Sequence, residues 1–334
     1  MARMFANLSE LPEGGSTTLP AGRRRLAASF LLAGFACNVT VLFVPFMDMR
    51  IGLSRQPYSL FHTTAMLWSS GLQVLAILVM AFSVVFPFVK LGVLAWLCGA
   101  GVIDGGSRRW LALVDRLGKW SMLDVFLVCL ILALSSGQLL VGARPLIGLP
   151  VFVSAIVLSM ASGELLSAAL PHRALPRPVS AQALQRSGWW LALSGVALGG
   201  SLGLPSLQLH DWFVADKAYS VATAVPALVR SGSPLPAAII AAFLIVIPAA
   251  TWSVTCLWWW RLRCNRADQP LYRLMLLGRR WSMLDVFGLA LAIFAVEGGT
   301  LMKTEVRWGA LALAALVGGQ MALQAALGRA FSRD

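Results

Sequence analysis

The sequence predicts an all-α polytopic membrane protein, with eight transmembrane helices arranged as two tandem four-helix repeats in parallel orientation. Three observations carry that expectation. Hydrophobic residues make up 58% of the chain and charged residues only 12%, a balance too apolar for an ordinary water-soluble domain. Uncharged stretches recur that are long enough for the ~20 helical residues needed to cross a hydrocarbon core. The third is a heptapeptide: Trp120-Ser121-Met122-Leu123-Asp124-Val125-Phe126 returns unchanged 161 positions later as Trp281-Ser282-Met283-Leu284-Asp285-Val286-Phe287.

The same offset relates Tyr58-Ser59 to Tyr219-Ser220, Gly71 to Gly232, Phe82 to Phe243, Pro87 to Pro248 and Gly137 to Gly298, without a gap. A shift shared by so many positions is the mark of a tandem duplication. The expected organisation is a flexible cytoplasmic tail at 1–25, a first four-helix repeat at 26–170, a linker at 171–187, a second repeat at 188–328 and a C-terminal cytoplasmic tail at 329–334. Each copy has an even number of spans, so both insert with the same orientation.

The tail carries Pro12, Gly14, Gly15, Ser16 and Pro20, a composition that favours no regular element. The first span, 26–47, follows Arg23, Arg24 and Arg25 and has no small-residue cleavage site, so it reads as a retained helix and not a signal sequence. The further spans are expected at 67–98, 120–140, 146–166, 188–208, 235–260, 281–301 and 308–328. Pro87 and Pro248 fall inside the second and sixth, where a missing backbone donor predicts matching kinks. Lys90 lies in the second span, where an ammonium costs roughly 2.5–3.5 kcal/mol unless it snorkels or faces a polar cavity.

The heptapeptide stands at the start of the third and seventh spans. Ser121 and Asp124 have the spacing of a capping box, and Trp120 with Val125 that of a hydrophobic staple. Capping leaves the Met-Leu and Val-Phe identities unexplained and predicts that both helix starts pack against something equivalent. The third span ends in Ser135-Ser136-Gly137-Gln138; the seventh departs from it, with Glu297 at the position of Ser136 and Gly298-Gly299 beside it. Trp258-Trp259-Trp260 suits an aromatic belt at the membrane interface better than base stacking.

The net charge of +13 is explained by orientation. With a cytoplasmic N-terminus, 19 of the 27 Lys and Arg residues fall inside, among them Arg108, Arg109, Arg116 and Lys119 and the cluster from Arg261 to Arg280. Seven fall outside, and the positive-inside rule therefore places both termini in the cytoplasm. Charges in short juxtamembrane loops touch lipid headgroups and speak against a nucleic-acid partner. The five cysteines form no C-x-x-C pair and His62, His172 and His210 lie in different loops, so no metal site and no cofactor is expected. H-E-x-x-H does not occur, and no enzyme or catalytic residue is expected.

The doubled Trp120–Phe126 and Trp281–Phe287 motif, each on the third helix of a four-helix unit after a proline-bearing helix, resembles the paraquat-inducible protein A family. Members are bacterial inner-membrane proteins that look like partners of MCE (mammalian cell entry) domain proteins, which form periplasmic conduits for lipid. The resemblance implies a non-enzymatic component that loads or receives phospholipid for such a conduit. Many members carry a zinc-ribbon segment before each unit, for which this sequence has no cysteines, and a lysine late in the third helix, where it has Ser136 and Glu297. On this reading Lys90, Ser136, Gln138, Glu297 and Thr300 are candidates for a lipid pocket, and Asp124 and Asp285 for capping or proton relay. The alternative is an autonomous proton-coupled exporter of small amphipathic compounds, with its proton on Glu297.

Overall fold

The computed structural model describes residues 17–51, 54–69, 73–135, 141–168, 181–205, 207–209, 217–264, 269–301, 304–306 and 308–331. By its contacts the chain divides into two compact units, Met1–Val125 with Arg144–Arg173, and Phe126–Ala143 with Ala174–Asp334.

The first unit opens on a short strand, β1 (Thr17–Thr18), and a long helix, α1 (Ala21–Phe43). Pro20 already has a helix-compatible φ of −58°, and α1 stops where Pro45 forces the preceding Val44 into extended backbone. A hairpin follows, β2 (Met47–Ile51) against β3 (Ser54–Tyr58), with Met47 opposite Tyr58. Ser59 accepts the His62 N–H at 3.4 Å and so caps the start of α2 (Leu60–Ser69). Next, α3 (Gln73–Val79) passes through a π-helical turn (Met80–Val85) into α4 (Phe86–Ala100), which ends at Gly101 in the left-handed conformation, φ 69°. β4 (Val102–Ile103) pairs back onto β1.

An amphipathic helix, α5 (Gly105–Gly118), and a 3-10 turn (Lys119–Met122) lead to α6 (Leu123–Ser135), which passes at Phe126 into the second unit. Arg144 and Pro145 of β5 (Val141–Pro145) extend the sheet beyond β2, and α7 (Gly148–Ser167) returns along α1. The two helices are antiparallel: Arg23 at the start of α1 donates to the Ala168 carbonyl just past the end of α7, at 3.1 Å. At the other end, a Cβ on Gly148 would lie 2.5 Å from the Pro45 carbonyl oxygen, so only glycine fits. Leu31, Leu91, Leu94, Leu97, Leu111 and Leu166 form the core between α1, α4, α5 and α7.

The second unit repeats the order: α8 (Ala181–Gly203), β6 (Leu207–Leu209), β7 (Lys217–Tyr219), α9 (Val221–Arg230), α10 (Pro234–Ile240), a π-helical turn (Ala241–Val246) and α11 (Ile247–Arg263). It continues with α12 (Gln269–Trp281), α13 (Leu284–Leu301), β8 (Thr304–Val306) and α14 (Trp308–Phe331), and its sheet has the order β7-β6-β8. α9, α10 and the second π turn begin and end 161 residues after α2, α3 and the first. Leu191, Trp258, Leu262, Met275 and Leu323 form a core cluster here.

Several identities that recur at this spacing acquire physical reasons. Ser220 caps α9 as Ser59 caps α2, here with a full box in which Ser220 and Thr223 exchange hydrogen bonds of 3.2 and 2.9 Å. Gly232 turns the chain between α9 and α10 at φ 77°, which any side chain would resist. Its counterpart Gly71, like Gly137, lies outside the described residues.

Four helical stretches among the described residues are long and apolar enough to cross a membrane: Ala21–Phe43, Met80–Ala100, Gly148–Ser167 and Pro234–Arg263. The other expected spans coincide with α6, α8, α13 and α14, which do not reach those limits over the residues described. Leu32, Phe43, Trp189, Val196 and Trp308 all point outward, an arrangement suited to lipid. Two features depart from the expectation of eight spanning helices alone. The segments after α1 and α8 are short antiparallel sheets, and α2, α5, α9 and α12 are additional helices, of which α5, α9 and α12 are amphipathic. Strands of three to five residues carry too little alternation to be read, and glycines and arginines in α5 and α12 mimic a polar loop.

Candidate functional site

The helices that carry Pro87 and Pro248 relieve those prolines in the same way. Pro87 has no N–H and its ring would strike the carbonyl four residues back; a π turn absorbs both, and the Phe86 N–H bonds the Ala81 carbonyl. The Ile247 N–H bonds Ala242 ahead of Pro248 in the same fashion. Each π turn presents one phenylalanine to the tryptophan of the repeated motif. Phe82 and Trp120 have ring centroids 6.4 Å apart, and Phe243 stacks on Trp281 at 6.3 Å. This is the equivalent packing that the repeated identities demanded.

The rest of the motif is core. Ser121, Met122, Leu123, Val125 and Phe126 are buried, as are Ser282, Met283, Leu284, Val286 and Phe287. Within the second unit the ring of Phe126 meets that of Phe287, its own counterpart, edge-on at 5.8 Å. Ser121 sits inside the 3-10 turn that runs on into α6, and its hydroxyl donates to the Gly118 carbonyl at 2.7 Å. The Asp124 side chain lies outside the described residues; Asp285 is half-buried in the first turn of α13. Trp120 and Trp281 are likewise half-buried. Of Trp258-Trp259-Trp260 only Trp260 faces outward, while Trp258 is buried against Tyr272.

Lys90 does not snorkel. It is buried on α4, its Nζ donates to Ser159 Oγ on α7 at 3.0 Å, and Ser159 Oγ donates on to the Ile156 carbonyl at 2.8 Å. Its ammonium passes over Gly118, where a Cβ would lie 2.9 Å from Nζ. At the corresponding positions the second unit has Thr251, bonded to the Ile247 carbonyl at 2.7 Å, and Arg279. Burial lowers the pKa of Arg279, with Tyr272 opposing. Ser136 and Gln138 lie outside the described residues. Glu297 and Thr300 stand on α13, with their side chains outside the description.

An opening in the first unit lies elsewhere. Between α1 and α4 runs a groove of about 1030 Å³, open along one side, with Leu31, Leu32 and Phe35 on one wall and Phe88, Leu91 and Ala95 on the other. The edge-on pair Phe35–Phe88, 5.9 Å apart, closes one end, and Arg24 and Arg25 stand at the other. Lys90 is on α4 but turned away from the groove, toward α7 and Gly118. Sequence reasoning missed this trench because it took the arginines as topology signals. The available sign was the run Gly92, Ala95 and Gly99, small residues spaced to leave one face of α4 hollow.

Long apolar helices, outward-facing apolar side chains and an open apolar groove define a multi-pass helical membrane protein. The family model described as Paraquat-inducible protein A matches residues 25–174 and, a second time, residues 189–330, and the chain belongs to that family. It is similar to the intermembrane transport protein PqiA of Escherichia coli K12, of Escherichia coli O6:H1 and of Shigella flexneri, with 27% identity over 135 residues in each case. Those matches cover 38% of this chain and 32%, about a third, of the curated relatives. No solved structure matches.

Proposed function

We propose that this protein is the inner-membrane component of a bacterial lipid transport system, loading or receiving phospholipid for a periplasmic MCE-type conduit. It acts without catalysis, spans the membrane eight times as two four-helix repeats in parallel orientation, and keeps both termini in the cytoplasm. The observation that carries the lipid reading is the α1/α4 groove. It is apolar along its length, cationic at one end and open at the side, the form that an acyl chain with an anionic headgroup fills. The relatives' name, intermembrane transport protein, supports the same reading.

Native mass spectrometry of the gently extracted full chain tests it. Phospholipid carried through delipidating washes supports the reading; a chain that retains none, though folded by circular dichroism, overturns it. The partner is tested by deleting the MCE-domain protein of the same cell. The two single deletions and the double should share one outer-membrane defect, and an additive double deletion would dissociate the two proteins.

A further inference from the structure

We propose that the α1/α4 groove binds a single anionic phospholipid from the leaflet nearest the N-terminus, and that the first half of the chain alone carries such a site. The lipid phosphate sits on Arg25 and the first turn of α1, and one acyl chain runs down the trench to Phe35–Phe88. This rests on the lipid transport reading and specifies where, and for which headgroup, that reading is realised.

Three independent features point to it. The first is length. From Arg25 to Phe35 is ten residues of helix, about 15 Å, or half of a ~30 Å hydrocarbon core. The groove is one leaflet deep. The second is charge. Arg23 is engaged with the Ala168 carbonyl and Arg24 with the Gly99 carbonyl, each at 3.1 Å, where they complement the ends of α7 and α4. Arg25 lines the groove and makes no hydrogen bond or ion pair with the described residues. The first turn of α1 has neither an acidic residue nor a side-chain cap, and no acid lines the groove among the described residues, so the mouth favours an anion.

The third feature is the second unit, which answers whether any such helix pair would leave a trench. Trp252 stands at the position of Leu91 and Trp259 at that of Cys98. Trp252 lies against Gly195, and its Nε1 donates to the Leu191 carbonyl at 3.1 Å. Trp259 lies against Gly188 and donates to the Leu184 carbonyl and Ser187 Oγ at 3.0 and 3.1 Å. Two indoles, satisfied by α8 itself, thus fill the α8/α11 equivalent of the trench. Arg186 keeps the position of Arg25, but the trench below it is occupied.

The test uses the full chain extracted into detergent from equimolar phosphatidylglycerol and phosphatidylethanolamine vesicles and washed free of bulk lipid, with a photoreactive phenylalanine at Leu32 or at its counterpart Leu193. Both positions are exposed and would meet bulk lipid in the bilayer. Crosslinks to lipid are expected at Leu32 and not at Leu193. A95W should abolish the Leu32 crosslink, and R25Q should lower phosphatidylglycerol capture there roughly tenfold, the loss of one charge-assisted hydrogen bond. The double change W252L/W259C should create a crosslink at Leu193, which keeps the idea testable should A95W fail to fold. Equal crosslinking at both sites, or a Leu32 crosslink unchanged by A95W and R25Q in folded protein, overturns this inference while leaving lipid transport intact. Absence of any retained lipid by mass spectrometry overturns both.

Discussion

The Lys90 ammonium, 2% exposed on α4, donates to Ser159 Oγ on α7 at 3.0 Å. A buried cation needs acceptors, because unmet donors in an apolar core forfeit hydration without return. Ser159→Ala should lower the stability of the detergent-solubilised protein by about 1–3 kcal/mol, and Ser159→Thr should restore most of it. Thermal melts of the two variants in a Lys90→Met background supply the control: there Ser159→Ala should cost clearly less. Equal cost with and without the lysine would show that the hydroxyl serves α7 alone.

Phe82–Trp120 and Phe243–Trp281 tie each π turn to the motif that follows it. Aromatic pairs of this kind contribute about 0.5–1.5 kcal/mol beyond burial, so leucine substitutions at the two partners should be non-additive by that amount. Removing Pro87 should loosen the same pair. Without the ring, a π turn can anneal to α-helix, and one residue of slippage rotates Phe82 by about 100°. Pro87→Ala should therefore abolish the coupling in a double-mutant cycle; additivity already present in the parent protein would count against the contact.

Gly148 and Gly309, 161 residues apart, each sit where α7 or α14 starts against backbone just past the end of α1 or α8, Pro45 in one case and Leu204-Pro205 in the other. Backbone cannot step aside as a side chain does. Alanine at either position should destabilise by about 1–3 kcal/mol, whereas Gly318→Ala, which meets nothing within 4 Å, should be neutral or stabilising. A denaturation series that ranks the three alike would contradict the close approach.

Asp104 caps α5 by accepting the Ser107 N–H at 2.8 Å, and the Ser107 side chain and backbone hydrogen bonds hold its carboxyl below the usual carboxylate range. A depressed folded-state pKa stabilises the helix at pH above the unfolded value of about 3.9. That contribution disappears as the pH falls through the lower, folded value. Amide protection in α5, corrected for intrinsic exchange, should drop across this acid window and become flat in Asp104→Asn. An unchanged acid-side profile in the variant would remove Asp104 from the account.

How much was legible beforehand differs by kind of feature. Tyr-Ser, Phe82, Pro87 and the heptapeptide stood out because they recur at one offset, at positions where both occurrences need the same local geometry. Ser59 and Ser220 at helix starts and the prolines after the π turns are such cases. Lys90 was visible as an anomaly, but its acceptor 69 residues away was not. Trp258 and Trp259 read as an interfacial belt because a run of aromatics does not say which face of its helix meets a neighbour; that face here is α12 for Trp258 and α8 for Trp259.

The residue order by itself determined the membrane class, the 161-residue repetition and the family, since composition and register survive without knowledge of contacts. Only the tertiary structure decided that α1 and α4 leave a trench while α8 and α11 fill theirs with indole. Whether two helices enclose space depends on side-chain volumes facing each other across some sixty residues of chain, a sum that no local pattern contains.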